Sequence, residues 1–249
     1  DIFIIEDAAQ AFGGKDSRGN KLGTKGDVGF FSLGRGKPIT TAGGGIVITD
    51  RSDIARGIEE QVERIGKSST VPLIVNALFL ALFIYPRLYW FPKGLPFLKI
   101  GETIYDDGFD LRRLSAFQAG LAKGWRGKLE FLKQTRRKRA LNFLAISHWN
   151  GFYSYVSDSR ELPDLLRFPI LLRKTRMKNN PAYRKAMDSC GIVPSYPTSI
   201  QDIEELRDRF KGEKYPGADQ VSAHLVTLPV HSLVSEEDTD KIITLLESQ

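Results

Sequence analysis

A lysine flanked by glycines just beyond an apolar stretch can do several kinds of chemistry. The segment Gly26-Asp27-Val28-Gly29-Phe30-Phe31-Ser32-Leu33-Gly34-Arg35-Gly36-Lys37-Pro38 places Lys37 in that position, and Gly43-Gly44-Gly45 follows it. Such a lysine is a phosphate clamp, a Schiff-base amine or an ordinary loop cation. Three further side chains bear on the choice. Asp7 ends the apolar run that opens the chain, Gln10 lies about one helical turn later, and Ser32 stands five residues before Lys37.

The phosphate-clamp reading fails on residue types. A P-loop needs glycine where Phe31 stands and a Ser or Thr to bind magnesium where Pro38 stands. No G-x-G-x-x-G opens a helix after a strand, so a dinucleotide fingerprint is absent as well. His148, His224 and His231 are dispersed without ligand spacing, which leaves no metal site to propose, and each reads as a surface or capping histidine. No G-x-S-x-G elbow supports a serine nucleophile. The single cysteine, Cys190, excludes an internal disulfide, fits a reducing cytoplasm and reads as a buried, inert thiol.

The elements that must position these groups follow from patterning. At 249 residues with 41% hydrophobic and 27% charged side chains, the chain is an ordinary globular protein of one large or two modest domains. Ile2 to Ile5 reads as a strand buried on both faces, ending at Glu6-Asp7, where open α/β sheets present ligand groups. Ala8 to Phe12 reads as a short helical turn, and Val28 to Ser32 and Ile46 to Thr49 as strands on either side of the lysine turn. Ser52 is placed to cap a helix carrying Ile54, Ile58, Val62 and Ile65, which Gly66 ends. Leu111 to His148 reads as one or two helices. Beyond it come a strand at 165–172, helices at 181–190 and 199–210, a strand at 224–229, and a final helix capped by Ser235 with Asp238. The chain opens on an apolar run without a methionine, which reads as the C-terminal part of something longer.

Two stretches are of another character. Leu73 to Tyr85 carries no charge and is bounded by Pro72 and Pro86, yet thirteen helical residues span only ~20 Å against a hydrocarbon core of ~30 Å. A membrane crossing is therefore disfavoured, leaving an internal or subunit contact or a segment lying in the membrane interface. Lys133 to Arg139 holds the run Arg136-Arg137-Lys138-Arg139. Without aromatic platforms or a binding module this reads as a solvated helix face, and nucleic acid is not an expected partner.

Asp7, Gln10, Ser32 and Lys37 together are the types of group that a pyridoxal phosphate site requires. A lysine forms the Schiff base, a carboxylate keeps the pyridine nitrogen protonated, and small hydroxyls with backbone N–H groups cradle the phosphate. At this point the sequence resembles the DegT-type sugar aminotransferases, which share the aspartate aminotransferase fold. The resemblance rests on Ile5-Glu6-Asp7-Ala8-Ala9-Gln10, on Gly26 through Lys37 and on Gly43-Gly44-Gly45, with weaker matches at Gly108-Phe109-Asp110-Leu111-Arg112 and Leu228-Pro229-Val230-His231. It covers nearly the whole chain except an apolar insertion at about 70–100.

The resemblance implies an α/β fold, in which residues 1–130 form the C-terminal part of a PLP-binding large domain with a mixed, mostly parallel sheet. Residues 131–249 then form a small α+β domain. It implies that Lys37 is the Schiff-base lysine and the acid/base of a 1,3-proton shift, that Asp7 pairs with the pyridinium nitrogen, that Gln10 sits by the cofactor ring, and that Ser32 binds the phosphate. Some relatives carry histidine at the lysine position and are dehydratases, so Lys37 favours transamination. The implied reaction converts a keto group of a nucleotide-linked sugar to an amine, with glutamate or glutamine as donor, in polysaccharide or lipopolysaccharide synthesis. The implied assembly is a cytoplasmic homodimer with the site at the interface. Residues 72–98 suggest peripheral contact with the inner membrane. Two departures stand against this. The family's phosphate loop and ring-stacking aromatic lie upstream of Asp7, so the chain alone is expected to be inactive. Asp110 also replaces an asparagine that reaches the partner's phosphate. The competing expectation is a non-catalytic scaffold using the same fold.

Overall fold

Val28–Ser32 (β2) is the middle strand of a three-stranded sheet, paired in parallel with Ile5–Asp7 (β1) and antiparallel with Gly45–Ile48 (β3). This computed structural model describes residues 2–85, 88, 108, 111–146, 152–154, 162–173, 180–196 and 198–247. The chain divides into two compact units, Asp1–Gly101 with Asp106–Gln134, and Glu102–Tyr105 with Thr135–Gln249.

In the first unit, strand alternation separates two faces of the sheet. Phe31 and Gly29 of β2 take the covered face together with their partners Glu6 and Ile46. Phe31 packs edge-on against Phe12 at 5.1 Å between centroids, and Phe12 against Trp125 at 5.2 Å. Gly29 has no alternative there, because a Cβ would lie 1.9 Å from the carbonyl oxygen of Gly23. Asp7, Phe30, Ser32, Gly45 and Val47 take the opposite, open face.

The apolar opening of the chain behaves differently from its sequence expectation. Ile2 to Ile5 is not a strand buried on both faces: the strand is Ile5–Asp7, and Ile2 is 89% exposed. β1 is an edge strand, and among the described residues no strand covers its free edge. Ala8 to Phe12 forms turns, with the Ala11 N–H donating to Ala8 and the Gly14 N–H to Ala11, and not a helix.

Helix α1 spans Ser52–Arg64, with Arg51 at the N-cap, so Ser52 is the first helical residue and makes no cap. Helix α2, Thr70–Phe83, coincides with the apolar run and buries no residue fully. Helix α3, Ala116–Ala122, starts on a reciprocal cap between Ser115 and Gln118. Gly124 separates it from α4, Trp125–Ala145, which runs from the first unit into the second. Among the described residues no helix is long and apolar enough to cross a membrane.

The second unit is built on an antiparallel sheet of β4 (Phe152–Ser154), β5 (Arg167–Leu172), β6 (Val193–Pro194) and β7 (Leu225–Pro229), in the order β4-β5-β7-β6. Phe143 of α4, Phe168 and Ile170 of β5, and Val226 and Leu228 of β7 form its fully buried centre. Helices α5 (Pro181–Ser189), α6 (Pro216–His224) and α7 (Glu236–Glu247) complete it, and α7 starts on the expected Ser235–Asp238 capping box. The stretch expected as a helix at 199–210 is instead two 3-10 segments, Ile200–Asp202 and Glu204–Phe210. Cys190 is half-buried, not buried.

The cation-rich face of α4 is not simply solvated. Lys133 donates to the Gly13 carbonyl at 3.0 Å, Arg137 to Leu162 at 2.8 Å and Arg139 to Ser232 at 3.5 Å, so these cations fasten loops to the helix. His224 contacts the Leu172 carbonyl at 2.6 Å through Nδ1. His231 is exposed, as expected of a surface histidine, and desolvation of its ring together with the charges of Arg167, Arg139 and Arg136 lowers its pKa to about 4. His148 and Asp110 lie outside the described residues.

Candidate active site

Asp7 and Ser32 meet on one face for a reason of register. Asp7 pairs with Phe30 across the parallel ladder, and Ser32 lies two residues beyond Phe30 on the same face. Both therefore sit on the open face at the C-terminal end of the parallel pair, where ligands bind in open α/β sheets. Asp7 Oδ1 accepts the Ala9 N–H at 2.9 Å, which orients its carboxylate. Ser32 Oγ accepts the Gly34 N–H at 3.2 Å, so the hydroxyl proton remains available to donate.

Lys37 belongs to a loop closed at both ends. The Leu33 N–H donates to Gly44 at 2.8 Å and the Thr41 N–H to Leu33 at 3.0 Å, pinching the chain around residues 34–40. Leu33, Ile39 and Thr41 are buried and root the loop, while Lys37 is half-buried beside Gly36, whose φ of +72° suits only glycine at low cost. The exit of the loop is fixed by side chains distant in sequence. Gln118 Nε2 donates to the Gly43 carbonyl at 3.2 Å, Thr41 Oγ1 donates to the same carbonyl at 2.7 Å, and Asn76 Nδ2 donates to Ala42 at 3.4 Å. Gln10 lies exposed in the turns after β1.

Glu6 is the residue that sequence reasoning quoted without giving it a role. Strand alternation turns it to the covered face, opposite Asp7. There its carboxylate accepts the backbone N–H of Gly23, of Lys25 at 2.9 Å and of Gly26 at 3.4 Å. These bonds, Gly23 first, hold its carboxyl below the usual range. Glu6 thus ties β1 to the turn that leads into β2. Its neighbour Asp27 accepts the Ile4 N–H at 2.9 Å and closes the same junction from the other strand. The Ser115-x-x-Gln118 cap was available in the sequence as a capping box, but nothing local signalled its bond to Gly43.

A strand end bearing a carboxylate and a hydroxyl on an open face, followed by a pinned lysine loop, belongs to a mixed α/β fold shared with solved aminotransferases. The chain superposes on a DegT DnrJ EryC1 StrS aminotransferase from Brucella abortus with a TM-score of 0.66 at 21% identity, covering 99% of this chain and 57% of that one. It also superposes on the E. coli GDP-4-keto-6-deoxy-D-mannose-3-dehydratase with bound hydrated PLP, with a TM-score of 0.65 at 16% identity and 60% of that chain covered. In sequence it is 46% identical, over 94% of its own length, to the L-glutamine:2-deoxy-scyllo-inosose aminotransferase of Streptoalloteichus tenebrarius, of which it covers 55%. The DegT/DnrJ/EryC1/StrS aminotransferase family matches residues 1–247, and the chain belongs to that family. It spans little more than half the length of these relatives.

Proposed function

We propose that this chain is the C-terminal part of a PLP-dependent aminotransferase that converts a keto group of a nucleotide-linked sugar to an amine. Glutamate or glutamine serves as donor, and polysaccharide or lipopolysaccharide synthesis as the setting. One observation carries the reading: Asp7 and Ser32 share the open face at the end of the parallel strand pair, and the pinned loop bearing Lys37 leaves directly from Ser32. The donor is supported by the name of the L-glutamine:2-deoxy-scyllo-inosose aminotransferase, and the nucleotide-linked keto sugar by that of the GDP-4-keto-6-deoxy-D-mannose-3-dehydratase.

The residues present fit the cofactor by donor type. Lys37 Nζ would hold it covalently, the Asp7 carboxylate would accept from its ring nitrogen, and the Ser32 hydroxyl would donate to its phosphate. Gln10 would flank the ring. Bound pyridoxal phosphate supplies the carbonyl carbon that takes the amine and a ring that withdraws electrons.

The chain's own groups contribute position and a proton. Lys37 Nζ would be the group that takes up and returns a proton, and a loop closed at Leu33–Gly44 would hold its backbone in place. The Ala9 N–H fixes the Asp7 carboxylate so that its charge is oriented before the ligand arrives.

The first unit is then the C-terminal part of the cofactor-binding domain and the second a small C-terminal domain. The working enzyme is a homodimer. The test is to express the full natural reading frame with and without Lys37→Ala. A visible cofactor band in the parent that the variant lacks supports the reading. Absence of cofactor binding in both overturns it in favour of a scaffold.

A further inference from the structure

Two arginines of α4 lack the acceptors that their burial calls for. Arg136 is half-buried, yet among the described residues it makes no hydrogen bond and no ion pair. The loss of water around it pulls its pKa below the ordinary arginine value, and the charge of Asp164 offsets this only in part. Arg139 is half-buried as well. Its one hydrogen bond among the described residues is the 3.5 Å contact to the Ser232 carbonyl, and its Nε is buried with no acceptor. The protein side of this guanidinium thus supplies nothing, so compensation has to come from the open side. An arginine carries five N–H donors and accepts nothing, and a donor removed from water without a partner is costly. At a spacing of three the two side chains lie on one face of the helix, like charge beside like charge.

The groups around this pair add donors and charge more than acceptors. Arg167 pairs with Pro229 across the β5–β7 ladder, and the chain continues from Pro229 to His231 and Ser232. Arg167 is bonded to Thr227 and Gly191, so it lends the cluster its charge and not its donors. The charges of Arg167, Arg139 and Arg136 all reach His231. The N–H groups of Ser232 and Leu233 have no acceptor among the described residues, and His231 and Ser232 are open to solvent. Two carboxylates face the cluster. Asp164 is exposed beside Arg136, and Asp238 near Arg139 and His231 is held in the α7 cap by the N–H and hydroxyl of Ser235. Neither forms an ion pair with Arg136 or Arg139. Three guanidinium charges therefore stand against two carboxylates, and the two free forks are the least satisfied of these groups.

We propose that Arg136, Arg139, His231 and Ser232 form a binding site for a phosphate group, separate from the cofactor site. A phosphate offers oxygens in several directions, so it can take N–H donors from both guanidiniums and from the Ser232 backbone at once. A planar carboxylate would answer one fork and leave the other dry. The bound anion would also favour protonation of the neighbouring His231 ring. The proposal is independent of the aminotransferase reading, since none of Asp7, Gln10, Ser32 or Lys37 takes part.

The test is calorimetric titration of the full natural protein, saturated with pyridoxal phosphate and in chloride buffer, with inorganic phosphate and with uridine monophosphate. Binding of phosphate is expected, and Arg136→Gln should weaken it at least ~10-fold. Arg136→Lys, which keeps the charge and loses the fork, should weaken it less. The exposed Lys138→Gln should leave it unchanged, which separates a built site from the general charge of α4. Arg136 has no bond to lose, so Arg136→Gln should melt no lower than the parent in chloride, while phosphate should raise the melting temperature of the parent alone. A second readout needs no arginine variant. The His231 ring resonance, assigned by its loss in His231→Gln, should titrate at a pH about 1 or more higher in phosphate than in chloride. Equal binding of the two probes supports a site for the free ion, and tighter binding of the nucleotide supports one for the phosphoryl group of a larger molecule. Absence of binding at millimolar phosphate overturns the proposal. So does binding that Arg136→Gln retains in full, or binding seen only before the pyridoxal phosphate is added, which belongs to the cofactor site.

Discussion

Replacing Gln118 with alanine tests whether the lysine loop is held from outside. Gln118 is 3% exposed and makes ties in two directions. Its Oε1 accepts the Ser115 N–H at 3.0 Å, completing the cap of α3, and its Nε2 donates to Gly43 at 3.2 Å, from a position 75 residues away in sequence. The alanine variant orphans one end-of-helix N–H, for about 1 kcal/mol, and removes a side-chain hydrogen bond to the backbone, for about 1 kcal/mol more. It also vacates the space of the side-chain stem, at ~0.8 kcal/mol per buried methylene. The Gly43 carbonyl keeps its bond from Thr41 Oγ1, so the full penalty of an unsatisfied buried acceptor does not apply. The sum is about 2–4 kcal/mol against the first unit. The local readout is amide exchange of Leu33 and Thr41, whose N–H groups close the loop. Both should lose protection in Gln118→Ala. Gln118→Glu keeps the stem and an acceptor for Ser115, and sets a buried carboxylate oxygen against the Gly43 carbonyl in place of the donor. It should weaken the loop closure more than the helix cap. Unchanged exchange of Leu33 and Thr41 in Gln118→Ala would refute the idea that α3 fixes the loop.

Four further outcomes follow from particular residues. The pKa of His231 is lowered from 6.5 to about 4, desolvation of its ring and the charges of Arg167, Arg139 and Arg136 disfavouring the charged form, although the residue keeps an exposed surface. The unfolded chain therefore binds the proton first, and stability falls as pH drops from 6.5 toward 4, by an amount that solvent screening of this exposed residue keeps small. His231→Leu should flatten the acid-side slope of a melting-temperature profile, and an unchanged slope contradicts this. Glu6 is depressed by the Gly23 N–H and its neighbours, so its contribution is present above the ordinary glutamate pKa and is lost as pH falls through the lowered folded value. Glu6→Gln should cut cofactor binding without touching the open face, and binding equal to the parent would refute that positioning role. Ala42 sits at φ +64°, so Ala42→Gly should raise stability by ~1 kcal/mol in denaturant titration; a loss would contradict it. The 249-residue chain alone should show no stable borohydride-reducible visible band, and finding one would refute the need for an upstream half.

The lysine turn was legible because its signals are local. Alternation in Val28–Ser32 and the glycines around Lys37 mark a strand, a tight loop and a second strand, and all three are present. The apolar run Ile2 to Ile5 misled because its residues look alike in a strand covered on both faces and in an exposed edge. Only the neighbouring strands decide between the two. The strands Phe152–Ser154 and Val193–Pro194 are too short to carry a period, and Pro216–His224 begins on Pro-Gly, which reads as a turn. The 3-10 segment at Glu204–Phe210 reads as α-helix in sequence because periods of 3.0 and 3.6 do not separate over seven residues. Asp7, Gln10, Ser32 and Lys37 are site candidates by residue type, whereas Glu6, Thr41, Asn76 and Gln118 act through bonds to backbone. Side chain to backbone ties leave no pattern in sequence, since every residue offers the same carbonyl and N–H.

The proposed chemistry turns on one nitrogen atom, Lys37 Nζ. The direct measurement is borohydride reduction of the full natural protein after loading with pyridoxal phosphate, followed by peptide mass mapping. A single reduced cofactor adduct is expected on the peptide containing Lys37, and both it and the visible band should be absent in Lys37→Ala. An adduct on any other lysine, or a visible band that survives Lys37→Ala, would contradict it.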